Sequence, residues 1–229
     1  MSSHFREEII GNQRLVLADC LEYLPGLEAG SVECCIADPP YGCGKASWDE
    51  HFPTAWYAEC RRVCRIVVII TGSAGLSDSI PLVGNDFKGC IAAWNVNSLT
   101  RGSLGFANWL AAVVACGKPR QGQDVLKFAV TGDMPEHPCP KPIEYILRLV
   151  ERVTESSETI LDPFLGSGTT LVAAELLGRR GIGIEIEPKY FDLACRRVEA
   201  ATKQPRLPGT DEPGKFADPQ QALAFGEDH

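Results

Sequence analysis

The sequence predicts an α/β protein with a mostly parallel central sheet covered by helices. Three observations carry this. Short apolar runs of strand length alternate with segments of helical periodicity, the strands end at Gly or Pro, and no apolar run approaches the roughly 18 residues of a membrane span. The strongest run, Ile66 to Ile70, is strand-sized.

Gln13 to Leu17 reads as a short strand, followed by a polar turn at Asp19 and a short helix near Cys20 to Leu24. Ser31 to Ala37 is a second strand, stopped by Asp38-Pro39-Pro40 because proline has no N–H for a ladder. Pro53 to Arg65 has a helical stripe of Trp56, Tyr57, Cys60, Val63 and Cys64. It leads into the strand Ile66 to Thr71, closed by Gly72. Strands are expected at Cys90 to Trp94 and Ala111 to Cys116, separated by the polar stretch Asn95 to Asn108. Residues 117–140 read mostly as loop around one strand, Val125 to Val130. Ile143, Ile146, Leu147, Leu149 and Val150 restore a helical period. The strand Thr159 to Leu161, the loop Asp162 to Gly168, the helix Thr169 to Leu177, the strand Gly181 to Ile186 and the helix Tyr190 to Ala201 complete the domain, taken as residues 1–202. From Lys203 to His229, Pro, Gly and charge dominate, so a disordered tail is expected.

The composition is ordinary for a globular chain, at 45% hydrophobic and 23% charged residues, and the net charge of -8 speaks against a nonspecific nucleic-acid coat protein. The N-terminus lacks the apolar stretch of a secretory signal, so a cytosolic protein is expected. Ten cysteines raise a metal or disulfide framework. Their spacing shows no Cys-x-x-Cys pair and the four histidines form no ligand cluster, so buried free thiols and no metal are expected.

Asp162-Pro163-Phe164-Leu165-Gly166-Ser167-Gly168-Thr169-Thr170 lies between a strand and a helix. There Gly166 and Gly168 allow close backbone approach and the helix start offers N–H groups. No Gly-Lys-Ser/Thr follows, which excludes a P-loop, and Leu171 occupies the third glycine position of the dinucleotide pattern. Glu185, at the end of the next strand, is placed to bind ribose hydroxyls. The options are a dinucleotide, another adenosine-containing cofactor or a plain turn. Glu185 favours an adenosine-type cofactor without a pyrophosphate. The Asp38-Pro39-Pro40-Tyr41 turn, at the C-terminal end of its strand, offers two rigid acceptors, the Asp38 carboxylate and the Pro39 carbonyl, beside the flat face of Tyr41. This arrangement suits a planar exocyclic amine; the plain alternative is a rigid turn with an exposed tyrosine.

Taken together, Asp38-Pro39-Pro40-Tyr41 and the Asp162 to Thr170 loop resemble the amino-methylating DNA methyltransferases that use S-adenosylmethionine. With the amine-binding turn preceding the cofactor loop, the order is similar to their circularly permuted β group. His137-Pro138-x-Pro140-Lys141-Pro142 resembles the element that precedes the cofactor loop there, and Trp94 to Lys118 resembles stretches of phage and prophage members. The resemblance implies a Rossmann-like methyltransferase fold with helices on both faces of the sheet, and methyl transfer to adenine N6 or cytosine N4 in DNA. Asp at the first position of the turn favours adenine. RNA or a protein amide as acceptor, and a cofactor-binding protein without catalysis, are the other readings.

It further implies Asp38, Pro39, Pro40 and Tyr41 as the catalytic group, with the target base flipped out of the duplex onto Tyr41. Asp19 would lie at the cofactor adenine, Glu185 at its ribose, and Phe164 with Gly166 to Gly168 at its methionine end. Asp38, Lys141, Asp162, Ser167 and Thr169 complete the cofactor set. Candidate DNA contacts are Trp48, Asn97, Arg101, Lys118 and Arg120. Residues 85–132 hold five basic and two acidic residues, hence +3, leaving -11 for the rest of the -8 chain. With only about residues 85–136 left for a reduced recognition region, target recognition is expected to be lax, to use a short motif, or to need a second subunit, as in a homodimer.

Overall fold

The computed structural model describes residues 5–40, 54–72, 75–97, 101–102, 105–106, 108–129 and 141–204. The strands are β1 (Arg6–Ile10), β2 (Gln13–Leu17), β3 (Val32–Ala37), β4 (Cys64–Gly72), β5 (Phe87–Asn95), β6 (Arg101–Gly102), β7 (Gly105–Phe106), β8 (Trp109–Cys116), β9 (Val125–Phe128), β10 (Thr159–Asp162) and β11 (Arg180–Glu185). The helices are α1 (Cys20–Tyr23), α2 (Ala55–Val63), α3 (Leu76–Val83), α4 (Ile143–Val153), α5 (Thr169–Leu176) and α6 (Pro188–Thr202). Nine strands form one sheet in the order β1-β2-β11-β10-β3-β4-β8-β5-β9, and β6 and β7 form a separate small hairpin.

The inner pairings β2–β11, β11–β10, β10–β3 and β3–β4 are parallel, while β8 runs antiparallel to both β4 and β5. Alternation along the strands sends side chains to two cores. Cys34, Ile36, Ile66, Val68 and Ile160 pack under α4, α5 and α6, while Cys35, Ala37, Val67, Ile69 and Leu161 pack under α1, α2 and α3. The expected three layers are therefore present. Cys34, Cys35, Cys60 and Cys64 sit inside them, and burial pushes the Cys34 and Cys35 thiols well up, so they pack as small apolar side chains.

Besides the β6–β7 hairpin, two elements lie beyond the sequence expectation. β1 returns onto β2 through the two-residue turn Gly11-Asn12, with Ile10 opposite Gln13 and Gly11 at φ +58°. α3 carries Pro81 inside an eight-residue helix, which masks it from a periodicity reading. β5, β8 and β9 are full members of the central sheet. Among the described residues no helix is long and apolar enough to cross a membrane.

Candidate active site

The chain leaves β10 through α5 to reach β11 on one side, and leaves β3 through α2 to reach β4 on the other. The gap between β10 and β3 is thus the switch point of the sheet, where open α/β folds bind ligands beyond the strands' C-terminal ends. Four adjacent parallel strands end there in carboxylates: Asp19 just after β2, Glu185 on β11, Asp162 on β10 and Asp38 just after β3. The row lines one edge of the sheet with carboxyl groups that can accept hydrogen bonds from a ligand.

The glycine loop is built over this gap. Gly166 at φ +53° and Gly168 at φ +82° adopt left-handed backbone, and Gly168 begins α5. Gly168 also packs on α6, where an added Cβ would stand 2.9 Å from the Ala194 Cβ. Glu185 spans the loop: its Oε2 accepts from the Gly166 N–H at 2.7 Å and its Oε1 from the Glu187 N–H at 2.8 Å. Asp162 Oδ1 accepts from the Phe164 N–H at 3.0 Å. Burial pushes the Asp162 carboxyl up to about 7, opposed by hydrogen bonds from Thr170 and the Phe164 N–H and aided by the nearby Asp38 and Glu185 charges. Burial raises the Glu185 carboxyl as well. Phe164 is held by the edge of Trp56, centroids 5.3 Å apart at 89°.

Asp38 is joined by a residue from the far end of the chain. The Lys141 ammonium donates to Asp38 Oδ2 at 2.5 Å just before α4 begins, the two side chains 12% and 26% exposed. Lys141, expected among the cofactor ligands, is placed on the Asp38 carboxylate. Pro39 is buried and Pro40 half-buried behind Asp38. Asp19 caps α1, accepting from the Leu21 N–H at 2.8 Å. Tyr41, Trp48 and His137 lie outside the described residues.

Ser167 and Thr169, also expected at the cofactor, are buried and turn inward. Their hydroxyls stand 3.4 Å apart, and Arg197 of α6 donates to the Ser167 carbonyl and, at 3.1 Å, to the Thr169 hydroxyl. They stiffen the loop. Arg197 was not legible in the sequence, because the 30-residue separation from Ser167 has no periodic signal. A second unforeseen group is fully buried: Gln13 donates to Glu175 and to the Arg179 carbonyl, and Arg179 donates to the Thr154 and Leu177 carbonyls, tying β2, α5 and the end of α4 together.

The expected DNA contacts separate. Asn97 follows the end of β5 that borders the carboxylate row, and Arg101 begins β6. Lys118 and Arg120 follow the opposite end of β8, whose Cys116 pairs with Ile66 at the start of β4. Arg120 is tied there to the Thr154 carbonyl at 3.4 Å and to Glu155. The structure does not bring Lys118 and Arg120 together with Asp38.

Residues 94–196 match the family model described as DNA methylase, of the N6/N4 methyltransferase type. The chain is 52% identical over 66 residues to the type II methyltransferase M2.DpnII of Streptococcus pneumoniae, covering 28% of this chain and 24% of that protein. It is 34% identical over 123 residues to the type II methyltransferase M.HindIII of Haemophilus influenzae, covering 51% of this chain and 35% of that protein. The chain thus spans less than half the length of these curated relatives. Among solved structures, the fold matches M1.HpyAVI in complex with SAM, with a TM-score of 0.64, 23% identity and coverage of 81% and 98% of the two chains. It also matches the cytosine-N4-specific PvuII DNA methyltransferase, with a TM-score of 0.66, 16% identity and coverage of 85% and 90%.

Proposed function

We propose that this chain, whose residues 94–196 match the DNA methylase family, transfers a methyl group from S-adenosylmethionine to the exocyclic N6 of adenine in DNA. The observation that carries the reading is the meeting of Asp38 and the Gly166–Gly168 loop on adjacent parallel strands at the switch point. The residues present fit the cofactor. Two left-handed glycines fold the loop over the gap, and Glu185 offers a carboxylate at ribose position. When bound, S-adenosylmethionine supplies an electrophilic methyl group on a sulfonium.

The chain's own residues do the rest. Glu185 binds the ribose hydroxyls with lone pairs that remain beside its two backbone bonds, Asp19 lies toward the adenine, and Phe164 with the loop backbone flanks the methionine end. Asp38 accepts a hydrogen bond from the target amine, with the Pro39 carbonyl as second acceptor, and stabilises the positive charge that develops on the nitrogen. Lys141 engages Oδ2 and so holds the carboxylate in one orientation toward the amine. The half-burial of Asp38 supports a target nucleotide turned out of the duplex to reach it.

A carboxylate at the first position of the turn favours adenine, and 4-methylcytosine is the alternative product. The test uses Asp38→Ala with labelled cofactor and duplex DNA. The variant should bind S-adenosylmethionine and transfer no methyl group; transfer at the native rate would refute the assignment of Asp38.

A further inference from the structure

Trp94 and Trp109 are register partners at the end of the β5–β8 pair that borders the carboxylate row, 42% and 41% exposed. Their neighbours Ala93 and Leu110 turn to the core under α4 and α5, so both indoles project from the opposite face of the sheet. The adjacent strand β9 adds Lys127, in register with Trp94, its ammonium 5.6 Å from the indole centroid, and exposed Val125. None of these side chains takes part in the carboxylate site.

The register gives their place. Ala37, the residue before Asp38, is level with Ile69 of β4, while Gly72 is level with Leu110 of β8. Trp109 therefore stands two strands across from Asp38 and three residues beyond it, about 10 Å in each direction and about 14 Å in all. At a duplex rise of about 3.4 Å per base pair, that is about four steps from a nucleotide held at Asp38.

Resting on the proposed DNA methyltransferase reading, we infer that Trp94, Trp109 and Lys127 form a platform for the DNA strand flanking the flipped base, the indoles against sugars and unstacked base and the ammonium against phosphate. Exposed aromatic faces combined with cations are the chemistry by which proteins hold nucleic-acid strands without reading sequence. The charge at the platform is that of Lys127, held over the Trp94 indole, with Arg101 beginning β6 beyond the same end of β5. A second protein surface is the weaker occupant, since lysine is depleted from the cores of protein interfaces.

The test measures binding of the full chain to a fluorescent mixed-sequence duplex. Trp94→Ala and Trp109→Ala should each weaken binding about 5- to 100-fold. Lys127→Gln should reduce the salt slope by about one. S-adenosylmethionine binding by calorimetry should remain native in all three, which shows that they fold, and Lys203→Gln, on the distant end of α6, should bind the duplex as the native chain does. Native duplex affinity in both tryptophan variants would overturn the platform. So would conversion of a native dimer to a monomer of unchanged DNA affinity, which would make the face a contact between copies. A native chain that binds no duplex at all would instead defeat the methyltransferase reading on which the platform rests.

Discussion

Lys141 and Asp38, 103 residues apart in the chain, meet at 2.5 Å where β3 has ended and α4 is about to begin. The contact fastens the turn proposed to bind the amine to the segment that enters α4, and on that proposal Lys141 is a positioning residue. Lys141→Met should lower kcat by about 10- to 100-fold, the cost of a misplaced acceptor, while cofactor Kd stays within about threefold. Lys141→Arg should recover part of the loss. A variant that loses cofactor affinity and keeps kcat would return Lys141 to the cofactor set.

Glu185 makes two backbone hydrogen bonds and is proposed to hold the ribose as well. Glu185→Gln keeps an oxygen for the loop but loses the charge, and a hydrogen bond to a charged group contributes about 1.5–3 kcal/mol. Calorimetry should show cofactor affinity reduced about 10- to 100-fold, and the Tm of the free protein should fall as one of the two backbone N–H groups loses its acceptor.

Gly168 is constrained twice, by φ +82° and by the approach of Ala194. Gly168→Ala should cost about 1–3 kcal/mol, read as a fall in denaturation midpoint with the slope unchanged. The shift of α6 should also loosen the Arg197 contacts and weaken cofactor binding.

Asp162 gives stability a pH dependence. Its carboxyl is raised by burial from an ordinary 3.8 to about 7, so between these values the folded protein holds a proton that the unfolded chain has released. The contribution is fully present below about pH 4 and is lost as pH rises to about 7. Asp162→Asn removes this dependence, so its stability relative to native should improve across that window, by at most on the order of 2–4 kcal/mol at pH 8. Urea midpoints at pH 5 and pH 8 measure it; a constant difference between the two proteins would contradict the burial account.

The fold was legible wherever apolar periodicity was strong, as in β4 and α4, and where motifs fixed a turn, as at Asp38 and at Gly166 to Gly168. β1 escaped because its residues are charged and exposed, although the Gly11-Asn12 turn was a hairpin signal. The strands β5, β8 and β9 were expected singly, but only their non-local pairing makes them part of the sheet and sends Lys118 and Arg120 to the far edge. Of the site, the four strand-end carboxylates follow from local motifs. The Lys141 and Arg197 contacts depend on packing across 103 and 30 residues, which no local pattern encodes.

The central claim is tested most directly by incubating the full chain with methyl-labelled S-adenosylmethionine and duplex DNA, then analysing the nucleosides by mass spectrometry. The account predicts labelled N6-methyladenine, absent with Asp38→Ala. Label found only in 4-methylcytosine would contradict the adenine assignment, and a DNA fraction without label would contradict the proposed function.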